Sequence, residues 1–151
     1  MLFLSTGGNH DISAAETARE FYDHGISTIE LSGGAYSETY KKDLLGLSKY
    51  ITFQVHNYFP PPADPFILNL ASSDPELMDR SIVHVRSAIK LAVELGRPVY
   101  SFHAGFRINP KVSELGKRLS RLTLTERTLA LDRFGEVVLL LAEEARREGV
   151  T

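Results

Sequence analysis

The feature that most constrains this chain is a fourfold alternation of short strand-like runs with helical stretches. The strand-like runs cover residues 2–5, 28–31, 51–57 and 98–103, and a segment with helical patterning follows each of them. Strands joined through helices pair in parallel, because each crossover returns the chain to the same end of the sheet. The chain has 151 residues, enough for one well-buried core. The sequence therefore predicts an α/β fold, a single-domain parallel (βα)4 unit over residues 1–151.

Local end signals position the helices between these strands. Segments 13–16 and 123–126 both have a hydroxyl residue followed three positions later by glutamate, which is the spacing of a capping box. They predict the starts of the first and last helices. The third helix is predicted to begin after Asp74, with Pro75 in its first turn, where the missing N–H is not needed. The second helix, over residues 37–48, is only weakly patterned.

Residues 58–73 form a long proline-rich loop after the third strand. Four prolines fall between positions 60 and 65, and neither a helix nor a central strand tolerates such a run. The loop also contains an apolar segment, residues 66–70. We therefore expect this loop to fold back on the protein and to be buried.

Four βα units are half of the eight that a (β/α)8 TIM barrel requires over ~250 residues. Residues 150–151 resemble the opening of a fifth strand. We therefore expect the chain to be the first half of a TIM barrel, truncated before strand five. The first and fourth strands of such a half-barrel have unpaired edges, which favours a homodimer or pairing with a second half-barrel.

Charge and composition argue against several classes of protein. The net charge of −2 provides no global basic field that would attract nucleic acid or a membrane surface. The chain has no cysteine, which rules out disulfides and thiolate zinc sites and fits a cytoplasmic location. The apolar run at residues 1–4 is too short for a signal peptide or a membrane span.

Two histidines stand where a βα barrel places its reactive residues, at the carboxyl ends of strands. His56 and His103 end neighbouring strand-like runs, so we expect their side chains to meet at a common pocket. Neutral imidazole is a good zinc or manganese ligand, but a firm site needs three or four ligands. The alternative is that each histidine forms hydrogen bonds in a polar barrel mouth. His24 and His84 lie on predicted helices and are interpreted as structural.

The motifs around these histidines resemble a known superfamily. In chain order they are His56, Asn-Leu-Ala-Ser at 69–72, Asp-Pro-Glu at 74–76, Ala-Val-Glu-Leu-Gly at 92–96 and Ser-Phe-His-Ala-Gly at 101–105. In order and spacing, residues 55–106 are similar to the segment from strand three to strand four of the xylose isomerase-like and endonuclease IV TIM-barrel superfamily. This part covers about a third of the chain.

The resemblance implies a divalent metal, namely manganese, zinc or magnesium, at the barrel mouth. In the DNA-repair branch, the positions matched by His56 and His103 ligate zinc together with a glutamate from strand five. In the sugar isomerase and epimerase branch, strands five to eight hold the metal, and first-half residues mostly contact the sugar. The repair branch has His-Ala-Pro-Tyr and His-Pro-Gly where this chain has His-Asn-Tyr-Phe (56–59) and His-Ala-Gly (103–105). A sugar or sugar phosphate is therefore the favoured substrate, and nucleic acid is disfavoured.

Four further candidates follow from position and residue type. Glu30 ends the second strand and is either a general base or a solvated, ion-paired carboxylate. Asn9, after a glycine turn, is a candidate substrate-binding residue, and Gln54 either contacts substrate or lines the barrel as polar packing. Arg107 is the first basic residue of a basic connector, residues 104–122, which either contacts a substrate phosphate or is solvated.

Three functional hypotheses remain. The first is the N-terminal half of a divalent-metal-dependent sugar or sugar-phosphate isomerase or epimerase. The alternatives are an endonuclease IV-like, zinc-dependent enzyme for abasic-site DNA repair, and a non-catalytic half-barrel that self-associates. Two imidazoles without a carboxylate hold a divalent ion only weakly, so we expect this chain by itself to be catalytically inactive.

Overall fold

The computed structural model describes residues 1–119 and 123–151 and has a parallel sheet with alternating helices. In chain order the described elements are β1 (Leu4–Ser5), α1 (Ala14–Asp23), β2 (Thr28–Leu31), α2 (Tyr40–Leu47), β3 (Thr52–His56), α3 (Pro75–Glu94), β4 (Tyr100–Ser101), a 3-10 turn (Val112–Glu114) and α4 (Arg127–Arg147). The strands are adjacent in the order β1-β2-β3-β4, and all three pairs are parallel. This architecture confirms the prediction of a (βα)4 unit, half of a TIM barrel.

The two faces of the sheet differ in polarity. The side chains that face the helices are no more than 8% exposed: Ile29, Leu31, Phe53, Val55 and Tyr100. They pack with apolar residues of all four helices into the core. The alternate residues point the other way and form what we call the open face: Ser5, Glu30, Gln54, His56 and Ser101. The strand register aligns Ser5, Glu30 and Gln54 in one row, and His56 with Ser101 in the next.

Most of the predicted helix starts are confirmed. The Ser13 hydroxyl and the Glu16 carboxylate form the capping box of α1. Asp74 caps α3 by accepting hydrogen bonds from the backbone N–H groups of Glu76 and Leu77, with Pro75 in the first turn. None of the helices in residues 1–119 and 123–151 is long and apolar enough to cross a membrane.

The prediction that α4 begins with a capping box at residues 123–126 is wrong. The helix begins at Arg127, and Glu126 itself is the N-cap, since its carboxylate accepts the Leu129 N–H at 2.9 Å. The physical reason lies one residue earlier. The Thr125 N–H donates to the Arg107 carbonyl at 2.7 Å, which ties this residue to the preceding connector and keeps it out of the helix.

The strands at the two edges are shorter than predicted, with two residues in each of β1 and β4. Beside β4, the Thr151 N–H donates to the Pro98 carbonyl at 2.9 Å, and the Tyr100 N–H donates to the Thr151 carbonyl at 3.0 Å. These are the hydrogen bonds of a parallel pair. Thr151 therefore lies where the sequence predicts the opening of a fifth strand.

The proline-rich loop folds back as predicted. Residues 67–70 of this loop are buried, and Leu70 and Asn69 are fully inaccessible to solvent. The aromatic ring of Phe66 contacts that of Tyr58, at a centroid distance of 5.5 Å. The loop after β3 is thus part of the folded structure next to the carboxyl end of the sheet.

Candidate metal and substrate site at the mouth of the sheet

The two predicted histidines meet at the carboxyl end of the sheet. His56 is the last residue of β3, and His103 lies two residues beyond β4. Their ring centroids are 5.2 Å apart, with an interplanar angle of 69°. Nδ1 of His56 lies 2.8 Å from the Ser101 hydroxyl, which orients the ring and leaves Nε2 for another partner. Strands three and four thus bring the two imidazole rings next to each other, and their role as a metal or substrate site stays a prediction.

The separation of the two rings is compatible with a shared metal ion, but the number of ligands is too small. Two imidazoles on one tetrahedral zinc ion, with Zn–N bonds of about 2.0–2.1 Å, place their ring centres about 5 Å apart. The observed separation is 5.2 Å. Over residues 1–119 and 123–151, however, no group of three or more His, Cys, Asp or Glu side chains could hold a metal. The described residues therefore offer two imidazoles at most, and a metal site would need further ligands.

Asn57 joins the strand ends that carry the histidines. Its N–H donates to the Ser101 carbonyl at 2.6 Å, and its carbonyl accepts from the Tyr100 hydroxyl at 2.8 Å. Its side-chain Oδ1 accepts the His103 N–H at 3.1 Å. Burial raises the pKa of Tyr100 far above its ordinary value, which keeps the hydroxyl protonated as a donor.

Asn69 joins the loops that follow β3 and β4. The residue is fully buried. Its Oδ1 accepts the N–H groups of Ala71 at 3.1 Å and Phe106 at 2.8 Å. Its Nδ2 donates to the Phe106 and Ile108 carbonyls at 3.1 and 3.0 Å. The positive φ of 110° and the close approach at Gly105 belong to this arrangement, because a Cβ at Gly105 would lie 2.7 Å from Oδ1 of Asn69.

The other predicted site residues fall into two groups. Glu30 and Gln54 are half-buried side by side on the open face, about 7 Å from His56 along the strand direction, toward the amino ends of the strands. Gln54 Oε1 lies 3.4 Å from Nε of Arg97. Asn9 and Arg107 make local bonds instead. Asn9 accepts the Asp11 N–H at 3.3 Å within its turn, and Arg107 Nε donates to the Thr125 carbonyl at 2.8 Å. The roles of all four remain predictions. Arg121, which belongs to the predicted basic connector, lies outside the described residues.

His84 has surroundings that fit the structural interpretation. It is 7% exposed and stacks on Tyr58, with ring centroids 5.1 Å apart, while Phe66 approaches edge-on. Burial lowers the pKa of His84 from 6.5 to about 4, so that the ring is neutral at physiological pH. His84 therefore fixes the proline-rich loop on α3.

The sequence alone did not identify Asn57 and Asn69 as site residues. One available signal was the Asn-Leu-Ala-Ser motif, whose asparagine is Asn69. The other was an asparagine directly after a strand-end histidine, since asparagine tolerates the left-handed backbone that such a corner requires. Neither signal reveals the partner of the side chain.

A parallel four-stranded sheet with helices on one face and two histidines at its mouth defines a half-barrel of the TIM type. A model of the xylose isomerase-like TIM barrel family matches residues 18–151, and the chain belongs to this family. A search among curated protein sequences finds no match.

Solved structures share the fold. D-psicose 3-epimerase with D-tagatose, from Clostridium cellulolyticum, has a TM-score of 0.60 and 16% identity, covering 99% of this chain and 50% of that one. Endonuclease IV from Thermus thermophilus has a TM-score of 0.51 and 16% identity, with coverages of 95% and 47%. A second Thermus thermophilus protein, soaked with ZnCl2, has a TM-score of 0.52 and 21% identity, with coverages of 94% and 53%. The chain thus spans about half the length of these proteins.

Proposed function

We propose that this chain is the N-terminal half of a divalent-metal-dependent sugar or sugar-phosphate isomerase or epimerase. The observation that carries the proposal is the pair of imidazoles, with ring centroids 5.2 Å apart, at the carboxyl end of a parallel sheet. Family membership and the likeness in fold to D-psicose 3-epimerase support it. Because the described residues offer only two ligands, the chain alone binds metal weakly and does not turn over substrate.

Each predicted residue has a task in this reaction. His56 and His103 hold the metal or orient the substrate, and the bound ion would supply Lewis-acid polarisation of a carbonyl and a neighbouring hydroxyl. Glu30, half-buried on the open face, takes or returns a proton. Gln54, beside Glu30, donates to or accepts from sugar hydroxyls. Asn9 and Arg107 bind the substrate only if they exchange their present backbone partners.

The test of this function uses the gene product translated with the reading frame downstream of Thr151. It is assayed with Mn²⁺ on a panel of ketohexoses and sugar phosphates, beside His56→Ala, His103→Ala and Glu30→Gln variants. We expect turnover that each substitution lowers by ~100-fold or more, as removal of a catalytic acid–base group does. A complete barrel that binds Mn²⁺ and turns over none of the panel would refute the isomerase assignment.

A second candidate is endonuclease IV-like cleavage at abasic DNA. The two neighbouring histidines would be suitable ligands for zinc, and endonuclease IV shares the fold. Against it, Phe59 occupies the position of the tyrosine in the His-Ala-Pro-Tyr motif of the repair branch, and its ring is fully buried and faces Tyr40 edge-on, so that it cannot contact DNA. Zinc-dependent cleavage of an abasic oligonucleotide would establish this function, and the absence of salt-sensitive DNA binding would exclude it.

We also propose that a second half-barrel, in a homodimer or a partner chain, pairs with the free sheet edges. The edge at β1 carries exposed apolar side chains, with Met1 91% and Leu2 89% exposed. At β4, where Thr151 already bonds to Pro98 and Tyr100, the sheet borders an apolar groove between α3 and α4, lined in part by Phe102 and Leu141. Light scattering on the purified chain should give twice the monomer mass of 16.8 kDa. A stable monomer at high protein concentration would contradict the homodimer and leave only a separate partner chain.

A further inference from the structure

Asn57 has an unusual backbone conformation directly beside the site. Its φ of 42° is positive, and no other non-glycine residue in the described parts of the chain has a positive φ. Side chains other than glycine rarely adopt this left-handed region, and asparagine tolerates it best. Interactions elsewhere must therefore hold this corner in place.

Three of those interactions are directed at one neighbouring segment, residues 100–103. The N–H, the carbonyl and the Oδ1 of Asn57 bind Ser101, Tyr100 and His103 respectively, at 2.6, 2.8 and 3.1 Å. The ladder between β3 and β4 has only two residue pairs and ends at His56. Beyond that point, Asn57 continues the connection between the two strands.

The contact with His103 differs in kind from the other two. The two backbone bonds of Asn57 extend the connection to β4, and any residue with this φ would make them. The side-chain bond instead holds the His103 backbone N–H, and His103 is exposed and lies past the end of β4. One asparagine is thus bonded covalently to one histidine of the pair and through its amide oxygen to the other.

We infer that Asn57 is a positioning residue, whose side chain sets the separation of the His56 and His103 rings. It acts on the second ring through the His103 backbone. The inference rests on the proposed function only in its use of a metal as a probe, because the ring separation is a property of the protein itself. Substitution of a residue that orients a metal ligand without binding the metal itself typically lowers the metal affinity by ~10–100-fold.

The test compares Asn57→Gly with Asn57→Asp. Glycine accepts the positive φ and keeps both backbone bonds, and it removes only the acceptor for His103. Aspartate keeps an acceptor oxygen at the same place. The first measurement is a nuclear Overhauser effect between the ring protons of His56 and His103. We expect it in the parent chain and in Asn57→Asp, and we expect its loss in Asn57→Gly.

The second measurement is calorimetric titration with Zn²⁺, with His56→Ala as the reference for a broken pair. Asn57→Gly should bind about tenfold more weakly than the parent, and Asn57→Asp at least as tightly as the parent. If the parent binds Zn²⁺ no better than His56→Ala, the metal role in the proposed function fails, and the ring-to-ring signal still decides the positioning role. Persistence of that signal in a folded Asn57→Gly chain would overturn the inference. Should Asn57→Gly not fold, Asn57→Ser, whose side chain is too short to reach His103, takes its place.

Discussion

Replacing Asn69 with alanine should remove the connection between the loops after β3 and β4. The backbone N–H groups of Ala71 and Phe106 lose their common acceptor, and the carbonyls of Phe106 and Ile108 lose a donor. Each buried donor left without a partner costs ~1–3 kcal/mol. Because Phe106 is itself exposed, water replaces part of what it loses. The free energy of unfolding should therefore fall by about 3 kcal/mol, a large share of the ~5–15 kcal/mol typical of a domain.

The assay is urea denaturation followed by circular dichroism at neutral pH, with linear extrapolation to water. Asn109→Ala is the matched control, since Asn109 is exposed and its substitution removes only one acceptor atom, the Oδ1, which Asn69 reaches at 2.8 Å and the Ser72 hydroxyl at 3.0 Å. A loss of about 1 kcal/mol is expected for it. Asn69→Asp keeps the size but points an oxygen at two carbonyls, so it should destabilise at least as much as alanine. If Asn69→Ala is no worse than the control, the amide does not hold the two loops together.

Three further outcomes are expected. Unfolded chains protonate His84 below pH 6.5, whereas the folded protein keeps it neutral down to about pH 4, so the free energy of unfolding should fall by up to ~3 kcal/mol between these pH values. The urea midpoints of a His84→Phe variant should lack that part of the fall. The same dependence of the midpoint on pH in both proteins would refute the role of burial. Gly105→Ala should lower the free energy of unfolding by ~2–3 kcal/mol, measured with heat or urea, because of the φ of 110° and the clash with Asn69. The control Gly46→Ala in α2, with open space around it, should instead raise the free energy of unfolding by ~0.5–1 kcal/mol. Equal effects of the two substitutions would contradict the geometry. Asp74→Ala should lower the free energy of unfolding by ~1 kcal/mol, because two N–H groups of α3 lose their cap; an unchanged urea midpoint would show that water replaces the cap.

Local patterns predicted the features of the fold that depend on neighbouring residues. Phe53 and Val55 alternate with Gln54 and His56, and this two-residue period gave both the strand and the direction of each side chain. The cap at Asp74 was likewise readable, because its partners are two and three residues away. Such signals need no knowledge of the rest of the chain.

Features that depend on distant partners were not readable from the sequence. The start of α4 was predicted too early because the bond that holds Thr125 outside the helix comes from a carbonyl 18 residues away, at Arg107. The contact of Asn57 with His103 spans 46 residues, and that of Asn69 with Phe106 spans 37. A polar side chain in a loop offers many partners, and only the packed structure selects one of them.

The polar open face limits the chemistry of any surface that comes to lie against it. Glu30 and Gln54 stand side by side there, and the Arg97 guanidinium lies beside Gln54. A purely apolar surface would enclose the Glu30 carboxylate without a counter-charge, at a cost of several kcal/mol. Any half-barrel that closes over this face would therefore need to present a cation or at least two hydrogen-bond donors beside Glu30. Its sequence can be screened for that requirement before any complex is made.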